Sequence, residues 1–142
     1  MTFGELPDDL PAIPLLLREA RGSYAAAIRA AIASAGLPEL PTNGPLIIGG
    51  LHDGELSVSQ LVAQRQKSVE KYKTIERLRE SGYLIGPEDS PVLSDSGHEA
   101  AHVVFGAISQ LTSSLNECLG PEGMKSFVKG MLFLISDKDS HR

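Results

Sequence analysis

Tryptophan is absent, cysteine occurs once, and aromatic residues make up 5% of the 142 positions. A lone thiol, Cys118, cannot build an internal disulfide framework, so a hydrophobic core must hold the fold. No apolar run approaches the roughly 18 residues that a membrane span requires. The opening stretch, Met1 to Pro14, has acids and prolines where a signal peptide needs a cationic start and an apolar run. These gaps predict a cytoplasmic chain with no membrane partner. Internal repeats and low-complexity segments are also missing. What remains is the composition of a globular protein, 42% hydrophobic and 22% charged, of a length that fits one domain over residues 1–142.

The stretch Ser57 to Gly97 organises the chain. Ser57 and Gln60 form a capping-box pattern, with Leu61 and Val62 as an apolar patch behind it. A second helix is predicted from about Lys67 to Ser81. Val69, Tyr72, Ile75 and Leu78 recur there at three-residue steps and are expected on one broad apolar side. Gly82 follows as a left-handed stop. Tyr83-Leu84-Ile85 is prone to form a strand, and Val92-Leu93 is its expected partner. Helix, turn, helix and hairpin, in that order, describe a winged helix-turn-helix lobe over residues 42–94.

Charge fits that lobe. Between Arg65 and Glu80, six cations stand against three anions, a net +3 in a chain whose total is −5. A basic island on an acidic body is the footprint of a face that meets nucleic acid. A solvated helix of alternating charge is the plainer reading, but these charges form no consistent set of four-apart ion pairs. Residues near the start of a recognition helix reach base edges, which makes Lys67, Ser68, Lys71 and Thr74 the candidate readers. Lys73 and Arg77 are placed at phosphates, which position the protein rather than specify sequence.

Helices flank the lobe. The first is predicted over 10–36, capped by Asp8 or Asp9, with Pro11 and Pro14 tolerated near its first turn. Its apolar stripe is Leu17, Ala20, Tyr24, Ile28, Ala31 and Ala35, and Gly36-Leu37-Pro38 ends it. Thr42 or Asn43 caps a short helix that buries Leu46, Ile47 and Ile48, and His52-Asp53-Gly54 reads as a turn. After the wing, Ser94 caps a helix that reaches about Leu119. Val104, Ile108, Leu111, Leu115 and Cys118 give it a heptad-like seam, so Cys118 is expected to be a buried structural thiol. Gly120 stops this helix and Pro121 opens the last one, whose expected inner face is Met124, Phe127, Val128, Met131, Leu134 and Ile135. Tyr24 and Tyr72 are read as core residues. Helices over 10–36 and 95–136 carry more apolar surface than one small domain covers, which predicts a homodimer. Leu17, Ile28, Leu111, Leu115, Phe127 and Met131 are its candidate contacts.

Four segments together resemble the multiple-antibiotic-resistance regulator (MarR) family of bacterial transcription regulators. They are LLLREARGSYAAAIRAAI from Leu15, SVSQLVAQR from Ser57, IERLRESGYL from Ile75 and VLSDSGHEA from Val92. The resemblance spans roughly Leu15 to Ile135. It implies a mainly α fold with a hairpin wing and long terminal dimerisation helices. It further implies a homodimer that binds double-stranded palindromic operator DNA and acts as a repressor. Control by a small lipophilic or phenolic effector is implied as well. Two features depart from the family pattern. The wing, Gly86 to Pro91, is short and acidic with no Arg or Lys, and each lost phosphate contact weakens binding. The turn around Gln66-Lys67-Ser68 is about one residue short of the usual pattern. A MarR-fold dimer that has given up operator binding and serves as a ligand- or protein-binding module therefore stands as the alternative.

One motif competes. His98-Glu99-Ala100-Ala101-His102 is H-E-x-x-H, which on a helix sets two imidazoles on one face beside a carboxylate, as in zinc peptidases. No third ligand follows at the expected spacing, and Phe105 stands where a metzincin has glycine. The favoured reading is therefore no enzyme, no cofactor and two partly exposed histidines. A zinc-responsive regulator, with His52 or Glu19 added to His98 and His102, is a minor implication of the resemblance.

Overall fold

A computed structural model describes residues 12–53 and 68–140, with the side chains at 53, 68–71 and 138–140 left aside. The elements run α1 (Ile13–Ser34), α2 (Gly44–Asp53), α3 (Ser68–Glu80), β1 (Leu84–Ile85), β2 (Val92–Leu93) and α4 (Asp95–Ser140). The Ser57 capping box and the helix before recognition lie outside the described residues, as do Asp8, Asp9, Pro11, Gly54, Arg65 and Lys67.

Glycine ends two helices in the same way. At the end of α1, Gly36 takes φ 73°, its amide bonds Ala33 O and the Leu37 amide bonds Ile32 O at 3.2 Å. At the end of α3, Gly82 takes φ 87°, its amide bonds Arg79 O and the Tyr83 amide bonds Leu78 O at 2.9 Å. Both are Schellman stops, in which a left-handed residue lets the last carbonyls find donors. The second stop turns the chain directly into the hairpin. There β1 and β2 pair antiparallel, Leu84 opposite Leu93 and Ile85 opposite Val92.

The core gathers residues from every element. Ile32 of α1, Ile47 and Ile48 of α2, and Ile75 and Leu78 of α3 meet Tyr83, Leu84, Leu93, Ala100, Ala101 and Val104. Tyr83 anchors it: the ring is fully buried and its hydroxyl donates to the Pro38 carbonyl in the α1–α2 linker. Tyr24 is half-buried, and its hydroxyl lies 2.7 Å from Thr112 Oγ1, tying α1 to α4.

The junction from β2 into α4 is tight. Ser94 Oγ accepts from the Gly97 amide at 3.2 Å, and the His98 amide donates to Ser94 O at 2.9 Å, so Ser94 is the predicted cap. A Cβ on Gly97 would stand 2.3 Å from the Tyr83 carbonyl oxygen, so only glycine fits there. Farther along, Gly120 leaves helical geometry at φ 74°, ψ 170°, and Pro121 restarts the helix, as expected.

Several expectations are corrected. α2 runs through His52 and Asp53, so the predicted turn there is helical; Gly49 and Gly50 do not interrupt it. Leu46 is exposed while Ile47 and Ile48 are buried, because consecutive helical residues step by about 100° and three in a row cannot share one face. Tyr72 is 61% exposed rather than in the core. Steps of three residues drift by about 60° each, so Tyr72 has left the face that Ile75 and Leu78 share. Cys118 is exposed on this chain, not a buried thiol. Of the expected inner face beyond Gly120, Met124 and Met131 are half-buried among the described residues, whereas Phe127, Val128, Leu134 and Ile135 are exposed, as are Leu132 and Phe133.

Candidate nucleic-acid interface and the sites behind it

α3 has two sides. Thr74, Ile75 and Leu78 are buried, while Tyr72, Lys73, Glu76, Arg77 and Glu80 face outward. Lys73 and Arg77, one turn apart, are the described cations of that outer face. Thr74 is corrected as a base reader: it is 7% exposed and its Oγ1 donates to the Thr42 carbonyl at 3.4 Å. A side chain turned into the lobe cannot reach a base edge. Lys67 lies outside the described residues. Ser68 and Lys71 lie in the first turn of α3, with side chains that are not described. Tyr72 was missed as a candidate, because periodicity assigned it to the core.

Arg79 belongs to the wing. Its two terminal nitrogens donate to the Gly86 carbonyl at 2.8 Å and the Pro87 carbonyl at 2.9 Å. A planar guanidinium can hold two carbonyls at once, so this one side chain clamps the wing to α3. Sequence reasoning counted Arg79 only as positive charge; its position seven residues before Gly86 was the available signal. Glu88 and Asp89 at the wing tip are exposed, and the outer hairpin face carries exposed Ile85 and Val92.

Burial raises the Tyr83 pKa above its ordinary 10.0, and the Glu99 charge raises it further. Glu99, the carboxylate of the H-E-x-x-H motif, thus acts on the wing root. The motif's two histidines are exposed, and the half-buried His52 at the end of α2 comes to them. His52 Nδ1 lies 3.3 Å from His98 Nδ1. The His52 ring centroid is 5.5 Å from that of His98 and 4.9 Å from that of His102. Glu19 takes no part: it sits 3.7 Å from Arg18 on the exposed side of α1.

Between α1 and α4 runs an open groove of about 690 Å³. Ala27, Ala31, Val103, Ala107 and Leu111 give it apolar walls, and His102 lies at its edge. The candidate dimer contacts divide around it. Leu17, Leu115 and Met131 are half-buried, Phe127 is exposed, and Ile28 packs against the chain's own core. Ile13, Leu15, Leu16, Leu132 and Phe133 are exposed apolar residues that the stripe analysis passed over. No helix among the described residues is long and apolar enough to cross a membrane.

No protein-family profile and no curated relative matches the sequence. Solved structures do match. Ligand-free NadR superposes with a TM-score of 0.66 at 19% identity, covering 90% of this chain and 96% of that one. A MarR family protein of Mycobacterium tuberculosis gives 0.57 at 16% identity, covering 89% and 96%. A Clostridium acetobutylicum protein described as a MarR family transcriptional regulator gives 0.52 at 17% identity, covering 93% and 99%. The chain therefore has the winged helix-turn-helix fold of MarR regulators over nearly its whole length.

Proposed function

We propose that this chain is a DNA-binding transcriptional regulator, a repressor that works as a cytoplasmic homodimer on a palindromic operator. The observation that carries the reading is the free outer face of α3. Lys73 and Arg77 stand clear of the core there, Tyr72 stands beside them, and Arg79 clamps the wing to the same helix. The shared fold supports it. Phosphate contacts from Lys73 and Arg77 would set the register of α3 in a major groove, and Ser68 and Lys71 at its start are the base readers we assign.

Dimerisation is part of the proposal. Exposed Leu15 and Leu16 near one end of the chain and Leu132, Phe133 and Ile135 near the other form more apolar surface than a monomer normally leaves to water. A two-fold partner would cover it and set two recognition helices roughly 34 Å apart, one turn of duplex. The groove between α1 and α4 offers apolar walls to a lipophilic or phenolic effector.

Titration of the full chain against its own upstream DNA and a scrambled duplex, at two salt concentrations, tests the reading. Tight binding to the upstream DNA alone is expected. Lys73→Ala with Arg77→Ala removes four phosphate contacts from a dimer and should lower the slope of log K against log salt by about 3.6, from about 0.9 per lost contact. Equal, weak binding to both duplexes would refute operator recognition. A second reading, a ligand- or protein-binding module without an operator, is favoured by charge. Glu76 and Glu80 balance Lys73 and Arg77 on the described outer face, and Glu88 and Asp89 make the wing acidic.

A further inference from the structure

We propose that Glu76 is a base-reading residue of α3, its carboxylate accepting a hydrogen bond from the exocyclic amino group of a cytosine in the major groove. The inference rests on the regulator reading and deepens it. It names a base that each operator half-site must carry and the side chain that requires it.

The position carries it. Thr74, Ile75 and Leu78 are the buried residues of α3. Successive helical residues turn by about 100°, so the direction opposite those three falls between Tyr72 and Arg77, and Glu76 lies within about 30° of it. Two rows run along that outer face. Lys73 and Arg77, four apart and exposed, form a cationic row. Tyr72 and Glu76, also four apart and exposed, form the row beside it. When the first row lies along phosphates, the second faces the base edges. Tyr72, Lys73 and Glu76 have the i, i+1, i+4 spacing from which a helix lying in the major groove can read bases.

A carboxylate at that place gains nothing within the chain. Among the described residues it pairs with neither Lys73 nor Arg77, though both are close along the helix. Arg79 is engaged with the Gly86 and Pro87 carbonyls of the wing. Glu80 stands one turn on, and like charges four apart destabilise a helix. On the DNA side the choice of partner is narrow. Phosphates repel a carboxylate, and so do the acceptor atoms of guanine and thymine. Adenine sets its N7 acceptor beside its N6 donor, whereas cytosine presents only the N4 donor. An ionised carboxylate only accepts, so cytosine is the base that fits it. Glu76 thus selects by repulsion as well as attraction, because bases without a free donor are left facing a charge. Lys73 and Arg77 supply the attraction to the backbone that holds the acid in the groove.

The test is selection of duplexes from a randomised pool by the full chain, followed by titration of the selected duplex and a scrambled one. The wild type should enrich a half-site with a cytosine that Glu76→Ala no longer prefers. Glu76→Gln should change that cytosine to adenine, because an amide both donates and accepts as adenine requires. Replacing the cytosine should weaken wild-type binding at least about fivefold and leave Glu76→Ala binding unchanged. Glu76→Ala should bind the selected duplex more weakly and the scrambled duplex more tightly, whereas removal of simple repulsion would tighten both. Glu80→Ala should keep the wild-type preference. Glu76 and Glu80 are exposed, so these variants keep the fold, which their melting temperatures check. Four results would each overturn the assignment while leaving operator recognition standing: the same bases selected by the wild type and Glu76→Ala, both duplexes bound more tightly by Glu76→Ala, a base other than cytosine at the position it loses, or the same loss in Glu80→Ala. A wild type that enriches no sequence would instead refute operator recognition, and the assignment with it.

Discussion

Replacing Gly97 with alanine separates local propensity from tertiary packing, because the two predict opposite signs. Propensity favours alanine inside a helix by up to about 1 kcal/mol over glycine. The structure opposes it. An added Cβ would meet the Tyr83 carbonyl oxygen at 2.3 Å, Leu93 Cδ2 at 3.0 Å and Leu93 Cβ at 3.2 Å. The first contact is backbone and cannot rotate away, so α4 and the hairpin must separate. That movement also stretches the 3.0 Å bond from the Ser94 amide to Tyr83 O. Overpacking costs about 1–3 kcal/mol and a weakened hydrogen bond about 1 kcal/mol, which together exceed the propensity gain. Gly97→Ala should therefore destabilise the protein by about 1–3 kcal/mol. Gly106, in the same helix, has nothing within 4 Å of its would-be Cβ, so Gly106→Ala should stabilise by up to about 1 kcal/mol. Urea unfolding followed by circular dichroism, at one protein concentration because the stability of the proposed dimer would depend on it, gives both values. If Gly97→Ala is as stable as the wild type while Gly106→Ala gains, the close approach at the wing root does not limit this fold.

Other expectations follow from the hairpin and the exposed helices. Tyr83 has a folded pKa raised above 10.0, first by burial and then by Glu99, so it contributes stability in full below pH 10 that is lost as pH rises through the folded value. Stability of Tyr83→Phe, measured from pH 8 to pH 11 against the wild type, should lack that alkaline loss; parallel curves would refute the assignment. The same variant should lose about 1 kcal/mol at neutral pH, since the Pro38 carbonyl loses its donor. Arg79→Met should leave the fold within about 1 kcal/mol of wild type, because the clamp is solvent-exposed. Its wing amides should nevertheless exchange hydrogen faster, and unchanged exchange at residues 86–90 would show that the guanidinium does not hold the wing. Phe133→Asp sets a charge on a 66% exposed apolar position and should shift sedimentation of the proposed dimer to that of a monomer; an unchanged dimer would place the interface elsewhere.

The order of elements was legible because its signals are local. Gly36, Gly82 and Gly120 mark helix ends through a backbone conformation that other residues resist. Ser94 caps because its hydroxyl reaches an amide three residues on, and the pairing of the two short β-prone runs, though not their register, could be read from composition. None of these depends on distant contacts. Direction around a helix was less legible. Three-residue spacing put Tyr72 with Ile75 and Leu78, and only packing showed that the lobe covers Thr74 instead. A run of three apolar residues hid the outward turn of Leu46. Arg79 read as one more positive charge until the wing folded back beneath it.

Sequence alone thus determined where α1 and α3 stop, where the hairpin lies and which fold results, since those follow from bonds a few residues apart. Tertiary structure decided which faces are buried, that Gly97 must be glycine, and that His52 meets a histidine pair 46 residues farther along the chain. Those outcomes depend on how helices cross, and crossing is set by the summed packing of the whole core rather than by any local pattern.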